Sequence, residues 1–215
     1  MSKRSRNLAW RNDTESDDDF DDRSMKKHKI YEAYDPLIYA CDNAVHFSSP
    51  VNKLSIEIII KLISKMIETF YKEHDSEEPY ELTYVVDTPG GSVDAILKFV
   101  DFIGLTKTKY PNVTFISVIT GLVASAGTIM CVIADKRYMT KYAHAMIHEL
   151  SAGNSGRYTQ LISHTDFLRE LHNCLVNIYM KNTKIDREKL EALLKNDTWY
   201  NSEEYLREGF IHEIK

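Results

Sequence analysis

Apolar and polar positions follow two different periods along the chain. From residue 54 to residue 70 the apolar side chains recur every three or four positions and the opposite face is polar, which predicts an amphipathic helix. Its apolar stripe consists of Leu54, Ile58, Ile59, Leu62, Ile63, Met66, Ile67 and Phe70. Similar patterns predict helices over 93–107, 157–181 and 187–194.

Short apolar runs lie between these helices. Their length and their bounding turn residues predict strands, at 44–47, 82–86, 113–120, 136–140 and 145–148. Strands that alternate with helices favour a mostly parallel sheet covered by helices, so the sequence predicts an α/β fold. The helix over 157–181 is the longest and has apolar residues on more than one face. We therefore expect it to project into a partner subunit.

The first 30 residues follow neither period. They carry eight Lys or Arg residues and seven Asp or Glu residues, and all seven carboxylates lie between Asp13 and Asp22. Such a segment buries too little apolar surface to offset the entropy that it loses on ordering. We therefore predict a disordered charged tail over 1–30, which limited proteolysis should remove first, and a folded domain over 31–215.

Composition narrows the class of protein. The chain has 215 residues, a net charge of −5 and a hydrophobic content of 43%, which is ordinary for a globular protein and gives no attraction to nucleic acid. Its three cysteines form no C-x-x-C pair, so neither a zinc site nor a disulfide framework is indicated. No apolar run approaches the ~18 residues of a membrane span, and a signal peptide is not apparent. We expect a soluble cytoplasmic protein without metal or cofactor.

One serine stands among small residues where an apolar run begins. Residues 121–128, Gly-Leu-Val-Ala-Ser-Ala-Gly-Thr, lead into the apolar run 129–134, and together they predict a buried helix that opens near Ala124. Unpaired N–H groups and the helix dipole at such a start stabilise negative charge near Ser125, as acyl-transfer enzymes require for their oxyanion. Taken alone, the segment favours a serine used for close helix packing or as an N-cap.

Two further segments carry chemistry. Residues 88–92, Thr-Pro-Gly-Gly-Ser, connect a predicted strand to a predicted helix, and the N–H groups of such a glycine turn can bind an anion or lie along a peptide. A short strand ends at His148, 23 residues after Ser125. Histidine takes up and returns a proton near neutral pH, which a weakly nucleophilic serine hydroxyl requires.

A carboxylate would complete such a site, because it fixes the tautomer of the histidine and stabilises the imidazolium. Four aspartates follow Ser125 as candidates, namely Asp135, Asp166, Asp186 and Asp197. The neighbours of Asp135 predict a turn, and Asp186 stands where an N-cap of the helix 187–194 is expected. The residues by themselves leave the choice open.

Segments 87–93, 121–127 and 146–149 together resemble the proteolytic subunit family of Clp proteases, within the crotonase-like superfamily. The resemblance runs from about Asn43 to the C-terminus, and its order of glycine turn, serine, histidine and long helix is specific. It implies a spiral α/β fold of repeated ββα units with a protruding long helix. It also implies a serine endopeptidase that acts on unfolded proteins or peptides.

The resemblance assigns roles within the site. It implies a catalytic triad of Ser125, His148 and Asp197, with an oxyanion held by the N–H groups of Gly90 and Ala126. An extended substrate would pair with the turn and with a strand over 150–153. The substrate-binding residues implied in this way are Gly91, Ser92, Leu150, Ser151 and Ala152.

The resemblance also implies an assembly, because the family forms heptameric rings that stack in pairs and work with a Clp-type AAA+ ATPase. Two departures modify this expectation. Lys195 and Asn196 stand where the family has an acid–arginine pair that links two rings, and the charged tail with residues 31–36 replaces an axial hairpin before the first strand. We expect a homo-oligomer with polypeptide substrates, a double ring that is weak or salt-dependent, and weak coupling to an ATPase.

Four alternatives remain. His144 and His148 are four residues apart, as zinc ligands on a helix are, but no third ligand is near them. A coenzyme-A hydratase or isomerase of the same superfamily would act through acidic residues. A signal-peptide-peptidase-like protease would use a serine–lysine dyad, for which Lys136 and Lys141 are candidates. A catalytically silent subunit of a mixed protease ring is the fourth.

Overall fold

The computed structural model describes the backbone of residues 30–215 and the side chains of residues 36–215. The predicted tail lies outside the described residues, apart from Ile30. The helices are α1 (Lys53–Glu73), α2 (Val93–Lys109), α3 (Ala126–Val132), α4 (Tyr158–Asn182), α5 (Arg187–Leu194) and α6 (Ser202–Arg207). The strands are β1 (Ile30–Asp35), β2 (Ile38–Cys41), β3 (Ala44–Phe47), β4 (Tyr80–Thr88), β5 (Val113–Ala124), β6 (Lys136–Met139), β7 (His144–Ile147), β8 (Thr198–Asn201) and β9 (Glu213–Ile214).

These strands form one mixed sheet in the order β1-β2-β3-β4-β5-β6-β9. The pairs from β3 to β9 in this order are parallel, which confirms the predicted α/β class. β5 is long enough to pair with two strands on the side away from β4. Its residues 116–119 pair with β6 and its residues 122–124 pair with β7, which β8 extends in antiparallel fashion. The second branch of the sheet therefore begins where β5 approaches Ser125.

The helix predicted from the first apolar stripe is α1, which packs against the sheet. A capping box starts it, because the Asn52 side chain accepts the N–H of Ser55 and the Ser55 hydroxyl accepts the N–H of Asn52. The prediction is wrong for one member of the apolar stripe. Leu54 is 69% exposed, whereas Ile56 is fully buried, since the first turn of the helix points Leu54 away from the sheet.

The N-terminal edge of the sheet differs from the prediction. A hairpin was expected to be missing before the first strand, but β1 and β2 pair in antiparallel fashion and β2 pairs with β3. Burial alternates along β2, with Ile38 and Ala40 buried and Tyr39 exposed. All four residues of β2 belong to the hydrophobic class, so the sequence shows no apolar–polar alternation there and the strand was not predicted. The hairpin extends the sheet by two strands.

α4 projects beyond the core for much of its length. Of its 25 residues only Val176 and Tyr179 are buried, and both lie in its C-terminal half. Tyr158, Ile162 and Phe167 in the N-terminal half are between 49% and 77% exposed. None of the helices in residues 30–215 has the length and apolarity that crossing a membrane requires.

Candidate active site

Ser125 is the single residue between β5 and α3. Its backbone has φ 54° and ψ −125°, a region that L-residues rarely adopt. The turn is held because the Ser125 N–H donates to the carbonyl of Met146 on β7 at 2.9 Å and the Ser125 carbonyl accepts the N–H of Thr128 at 2.9 Å. The serine side chain makes no capping hydrogen bond to α3. The N-cap alternative therefore does not describe this serine.

Two glycines allow the turn after β4 to approach Ser125. A Cβ atom on Gly90 would lie 2.5 Å from the carbonyl oxygen of Ala124 and 2.8 Å from Cβ of Ser125. A Cβ atom on Gly127 would lie 2.4 Å from Cγ2 of Thr88. All three separations are shorter than van der Waals contact, so the glycines bring the two turns together where any side chain would hold them apart.

His148 follows β7, and β7 runs parallel to the end of β5. The carboxyl ends of the two strands therefore lie at the same edge of the sheet, with Ser125 after one and His148 after the other. His148 Nε2 lies 2.8 Å from Ser125 Oγ, within hydrogen-bond distance. The structure thus brings together the serine and the histidine that the sequence singled out, in the geometry of a nucleophile and its base.

Asp197 lies on the other side of His148. It immediately precedes β8, whose Thr198 pairs with Ile147 of β7, and it lines the same surface groove as His148. In the described part of the chain no hydrogen bond joins Asp197 to His148. Asp197 therefore lies beside the histidine at the ends of β7 and β8, without a hydrogen bond between the two side chains.

The other three aspartates have structural partners elsewhere. Asp135 accepts the backbone N–H of Phe115 and pairs with Lys107. Asp186 accepts the N–H of Lys189 as the N-cap of α5, as predicted, and Asp166 pairs with Arg169 on the exposed part of α4. These contacts favour Asp197 among the four candidates.

The expected oxyanion donor Gly90 requires correction. The Gly90 N–H donates to the hydroxyl of Thr88 at 3.2 Å, so it is already used inside the turn. Gly91 forms a parallel bridge with Val51, in which the Val51 N–H donates to the Gly90 carbonyl and the Val51 carbonyl accepts the Ser92 N–H. In such a bridge the N–H and C=O of the central residue point to the opposite side. The free N–H of the turn is therefore that of Gly91, which lines the cavity beside Ser125.

Two expectations about substrate-binding residues also change. Ser92 caps α2, with its hydroxyl accepting the N–H of Ala95 and contacting Asp94, and its own N–H is bonded to Val51. The hydroxyl and the N–H of Ser92 are therefore both used in hydrogen bonds that hold the turn. The predicted strand over 150–153 has no strand pairing in the described chain, because no neighbouring strand lies beside it. Leu150, Ser151 and Ala152 nevertheless border the cavities next to His148.

A cavity of about 270 Å³ opens beside Ser125. Most of its wall is apolar and comes from four helices and from β7. Its apolar lining residues include Ile96, Ile129, Met146, Leu175, Val176, Tyr179 and Leu194, and His172 is a polar one. Sequence reasoning did not assign these residues to the site, since only the packing of α2, α3 and α4 brings them together. Leu175 and Tyr179 were recognised only as members of an apolar stripe.

The zinc alternative depended on a helix that is absent. His144 and His148 stand at the two ends of the extended strand β7, and a strand rises about 3.3 Å per residue. The two α-carbons are therefore about 13 Å apart along the strand, which is too far for two ligands of one ion. Among the side chains of residues 36–215, no group of three or more from His, Cys, Asp or Glu is placed to hold a metal.

Comparison with known proteins identifies relatives along most of the chain. The family model described as Clp protease matches residues 42–215. Over 192 residues the chain is 29% identical to ATP-dependent Clp protease proteolytic subunit 1 of Chlamydia muridarum, covering 87% of this chain and 93% of that protein. The identity is 27% over 191 residues, with the same coverage, to the protein of that name from Chlamydia trachomatis serovar D. It is 28% over 198 residues to the ATP-dependent Clp protease proteolytic subunit of Streptococcus pneumoniae, covering 90% and 93%.

Proposed function

The chain belongs to the Clp protease family of peptidases, and we propose that it is a serine endopeptidase whose nucleophile is Ser125. The observation that carries the proposal is the 2.8 Å contact between Ser125 Oγ and His148 Nε2. A serine hydroxyl attacks a carbonyl efficiently only with a base in hydrogen-bond reach. The strained backbone of Ser125 points its side chain at this base and at the cavity.

The reaction is an acyl transfer in two halves. Ser125 Oγ attacks the carbonyl carbon of the peptide bond while His148 Nε2 takes the hydroxyl proton. The tetrahedral intermediate collapses when His148 returns that proton to the leaving amine, and an acyl-enzyme remains. A water molecule then attacks the acyl carbon with His148 again as base, which releases the acid and restores the serine.

The oxyanion formed in each half needs donors on the cavity side of Ser125. We assign this role to the N–H groups of Gly91 and Ala126, which both line the cavity. The Ala126 N–H opens α3, where unpaired donors and the helix dipole favour negative charge. The Gly91 N–H is directed away from Val51 by the bridge in which Gly91 lies.

Asp197 is proposed as the third member of the triad. It shares a groove with His148 and would accept a proton from Nδ1, which fixes the tautomer with a lone pair on Nε2. This role requires the loop of residues 195–197 to move the carboxylate towards the histidine. Catalytic hydrogen bonds are often long in unliganded sites and tighten in the substrate complex.

The substrate class follows from the walls of the site. Leu150, Ser151 and Ala152 offer an unpaired backbone segment beside His148, to which an extended polypeptide would add as a strand. The apolar cavity next to Ser125 would accept an apolar side chain of the residue whose carbonyl is attacked. Such a site favours unfolded polypeptides, because a folded segment does not present an extended backbone.

Membership of the family supports a homo-oligomeric ring. We propose that the ring is heptameric, as the resemblance implies, and that it receives substrate from a Clp-type ATPase. The exposed apolar residues of α4 support association. The serine–lysine alternative is less favoured. Lys136 pairs with Glu81 on the surface and Lys141 lies over the ring of Tyr142, and neither contacts the serine.

A covalent probe tests the proposal. A fluorophosphonate should label the wild-type chain at Ser125 and leave Ser125→Ala unlabelled, and hydrolysis of a fluorogenic peptide should fall on the order of 10⁶-fold in that variant. His148→Ala should lose labelling as well, because the base is gone. Equal labelling of wild type and Ser125→Ala would contradict the nucleophile, and no labelling of the wild type would favour the catalytically silent subunit.

A further inference from the structure

The backbone of Ser125 is held by a chain of two hydroxyl groups that begins on α4. Thr128 Oγ1 lies 2.6 Å from the carbonyl oxygen of Ser125, and the Tyr179 hydroxyl lies 2.5 Å from Thr128 Oγ1. Thr128 is fully buried and Tyr179 is 4% exposed. Neither hydroxyl takes part in the proton transfers of the proposed reaction, so their place beside the nucleophile calls for another explanation.

The direction of these hydrogen bonds follows from the protons available. A carbonyl oxygen can only accept, so the Thr128 hydroxyl gives its single proton to Ser125. Thr128 Oγ1 is then an acceptor towards α4, and Tyr179 is the donor. Burial raises the pKa of Tyr179 well above its ordinary value, so the phenol keeps its proton at neutral pH. The chain therefore runs in one direction, from Tyr179 through Thr128 to Ser125.

The Ser125 carbonyl belongs to the same peptide unit as the Ala126 N–H. This unit is planar, and in the trans form its C=O and N–H point in opposite directions. The carbonyl accepts two bonds from Thr128, one from its N–H and one from its hydroxyl. These bonds turn the carbonyl into α3 and therefore turn the Ala126 N–H towards the cavity.

The two acceptor bonds do more than orient the peptide unit. Hydrogen bonds in a chain polarise one another inside a protein, so a carbonyl that accepts from Thr128 makes the N–H on the same unit a stronger donor. The Ser125 backbone is also strained, and a strained conformation persists only when its surroundings hold it. Thr128 supplies such a hold through the Ser125 carbonyl, and Tyr179, which also lines the cavity, supports Thr128 through its hydroxyl.

We propose that Thr128 and Tyr179 are positioning residues that hold the Ser125–Ala126 peptide unit with its N–H aimed at the oxyanion. The inference rests on the proposed function, in which Ala126 is an oxyanion donor. An oxyanion is present in the transition state and absent from the bound substrate. Loss of either hydroxyl should therefore lower kcat and leave KM nearly unchanged.

The test compares variants that remove a hydroxyl and keep the shape. Thr128→Val should lower kcat roughly 10-fold, a fraction of the ~10²–10³-fold loss that follows removal of a whole oxyanion donor. Tyr179→Phe should lower kcat less, since Thr128 still bonds to Ser125, and Thr128→Ser should restore most of the activity. The double variant should be no slower than Thr128→Val, because the two hydroxyls act in series. A peptide boronate, which forms a tetrahedral adduct with the serine, should lose affinity in parallel with kcat.

Tyr84→Phe is the matched control. The Tyr84 hydroxyl is also buried and donates to the carbonyl of Met130 on the same helix α3, but it does not reach the Ser125–Ala126 unit. Tyr84→Phe should lower the unfolding midpoint and leave kcat and boronate affinity unchanged. If the wild type is active, two results would overturn the inference. One is an equal loss of kcat in Tyr84→Phe and Tyr179→Phe, and the other is an unchanged kcat in Thr128→Val. An inactive wild type that no serine probe labels would instead overturn the proposed function, and this inference with it.

Discussion

At Gly90 the backbone conformation and the close packing both require a glycine. The residue has φ 87°, which favours glycine, and a Cβ atom would overlap the carbonyl of Ala124 and the side chain of Ser125. Gly90 thereby shapes the site, while its N–H is bonded to the Thr88 hydroxyl inside the turn. A glycine identified by a motif can thus matter through the space that it leaves and not through its N–H.

Gly90→Ala should reduce both stability and activity. Positive φ in a residue with a Cβ costs about 1–3 kcal/mol, and the overlap with Ala124 should displace the nucleophile. Urea unfolding and peptide hydrolysis measure the two effects. Gly104→Ala is the control, because Gly104 lies in α2 with open space around its Cβ direction, and it should raise the free energy of unfolding by about 0.5–1 kcal/mol. An unchanged kcat in Gly90→Ala would contradict the close approach.

At the scale of elements, the C-terminal strand β9 is tied to β6 through His212. The backbone N–H of Arg137 donates to His212 Nδ1 at 3.2 Å, and the Arg137 guanidinium lies 2.7 Å from Nε2. A neutral imidazole has one lone pair for these two donors, and an imidazolium has none. Protonation of His212 should therefore loosen the attachment of β9.

The free energy of unfolding should fall as the solution is acidified. Burial, and then the positive charges of Arg137 and Lys184, lower the pKa of His212 in the folded chain. The unfolded chain therefore binds the proton more readily, so the contribution of His212 is complete above its unfolded pKa of about 6.5 and is lost as the pH falls through the lower folded value.

His212→Gln tests this dependence, since glutamine keeps an acceptor and does not titrate. Urea unfolding between about pH 7.5 and about pH 5 should show a shallower decline in the variant than in the wild type. The other histidines are common to both chains, so the difference isolates His212. Parallel declines would contradict the role of this residue.

At the scale of the whole molecule, the exposed residues of α4 determine the expectation for assembly. Tyr158, Ile162 and Phe167 are large apolar side chains that are exposed on the N-terminal half of α4, more than a monomer usually presents on one helix. We predict a ring-like homo-oligomer at micromolar concentration. Lys195 and Asn196 cannot form acid–arginine pairs, so we expect the association of two rings to be weak or salt-dependent.

Light scattering across salt concentration measures this assembly. Phe167→Glu should reduce the particle mass, because a carboxylate would be buried in the expected contact. Leu105→Glu is the control, since Leu105 is a similarly exposed apolar residue on α2 and isolated apolar side chains are ordinary on protein surfaces. A wild-type monomer would contradict the assembly, whereas a salt-insensitive double ring would contradict only the weakened link.

The elements followed largely from local patterns. α5 has the bounds that were predicted, α1 and α2 extend a few residues beyond theirs, and β3 matches its prediction. These segments have a clear period and recognisable caps, such as Asp186 before α5. β1 and β2 were missed because both are short and neither shows a clear apolar–polar alternation. The segment 150–153 was predicted as a strand although it has no strand partner in the described chain.

The sequence by itself determined the α/β class, the glycine turn and the pairing of Ser125 with His148, because each depends on residue types at fixed separations along the chain. Tertiary structure alone decided that Gly91, and not Gly90, keeps a free N–H, since the bridge to Val51 sets its direction. It also decided that Tyr179 reaches Ser125 through Thr128. The bridge joins residues 40 positions apart and the Thr128–Tyr179 contact joins residues 51 positions apart. Such contacts are fixed by the packing of helices on a sheet rather than by any local period.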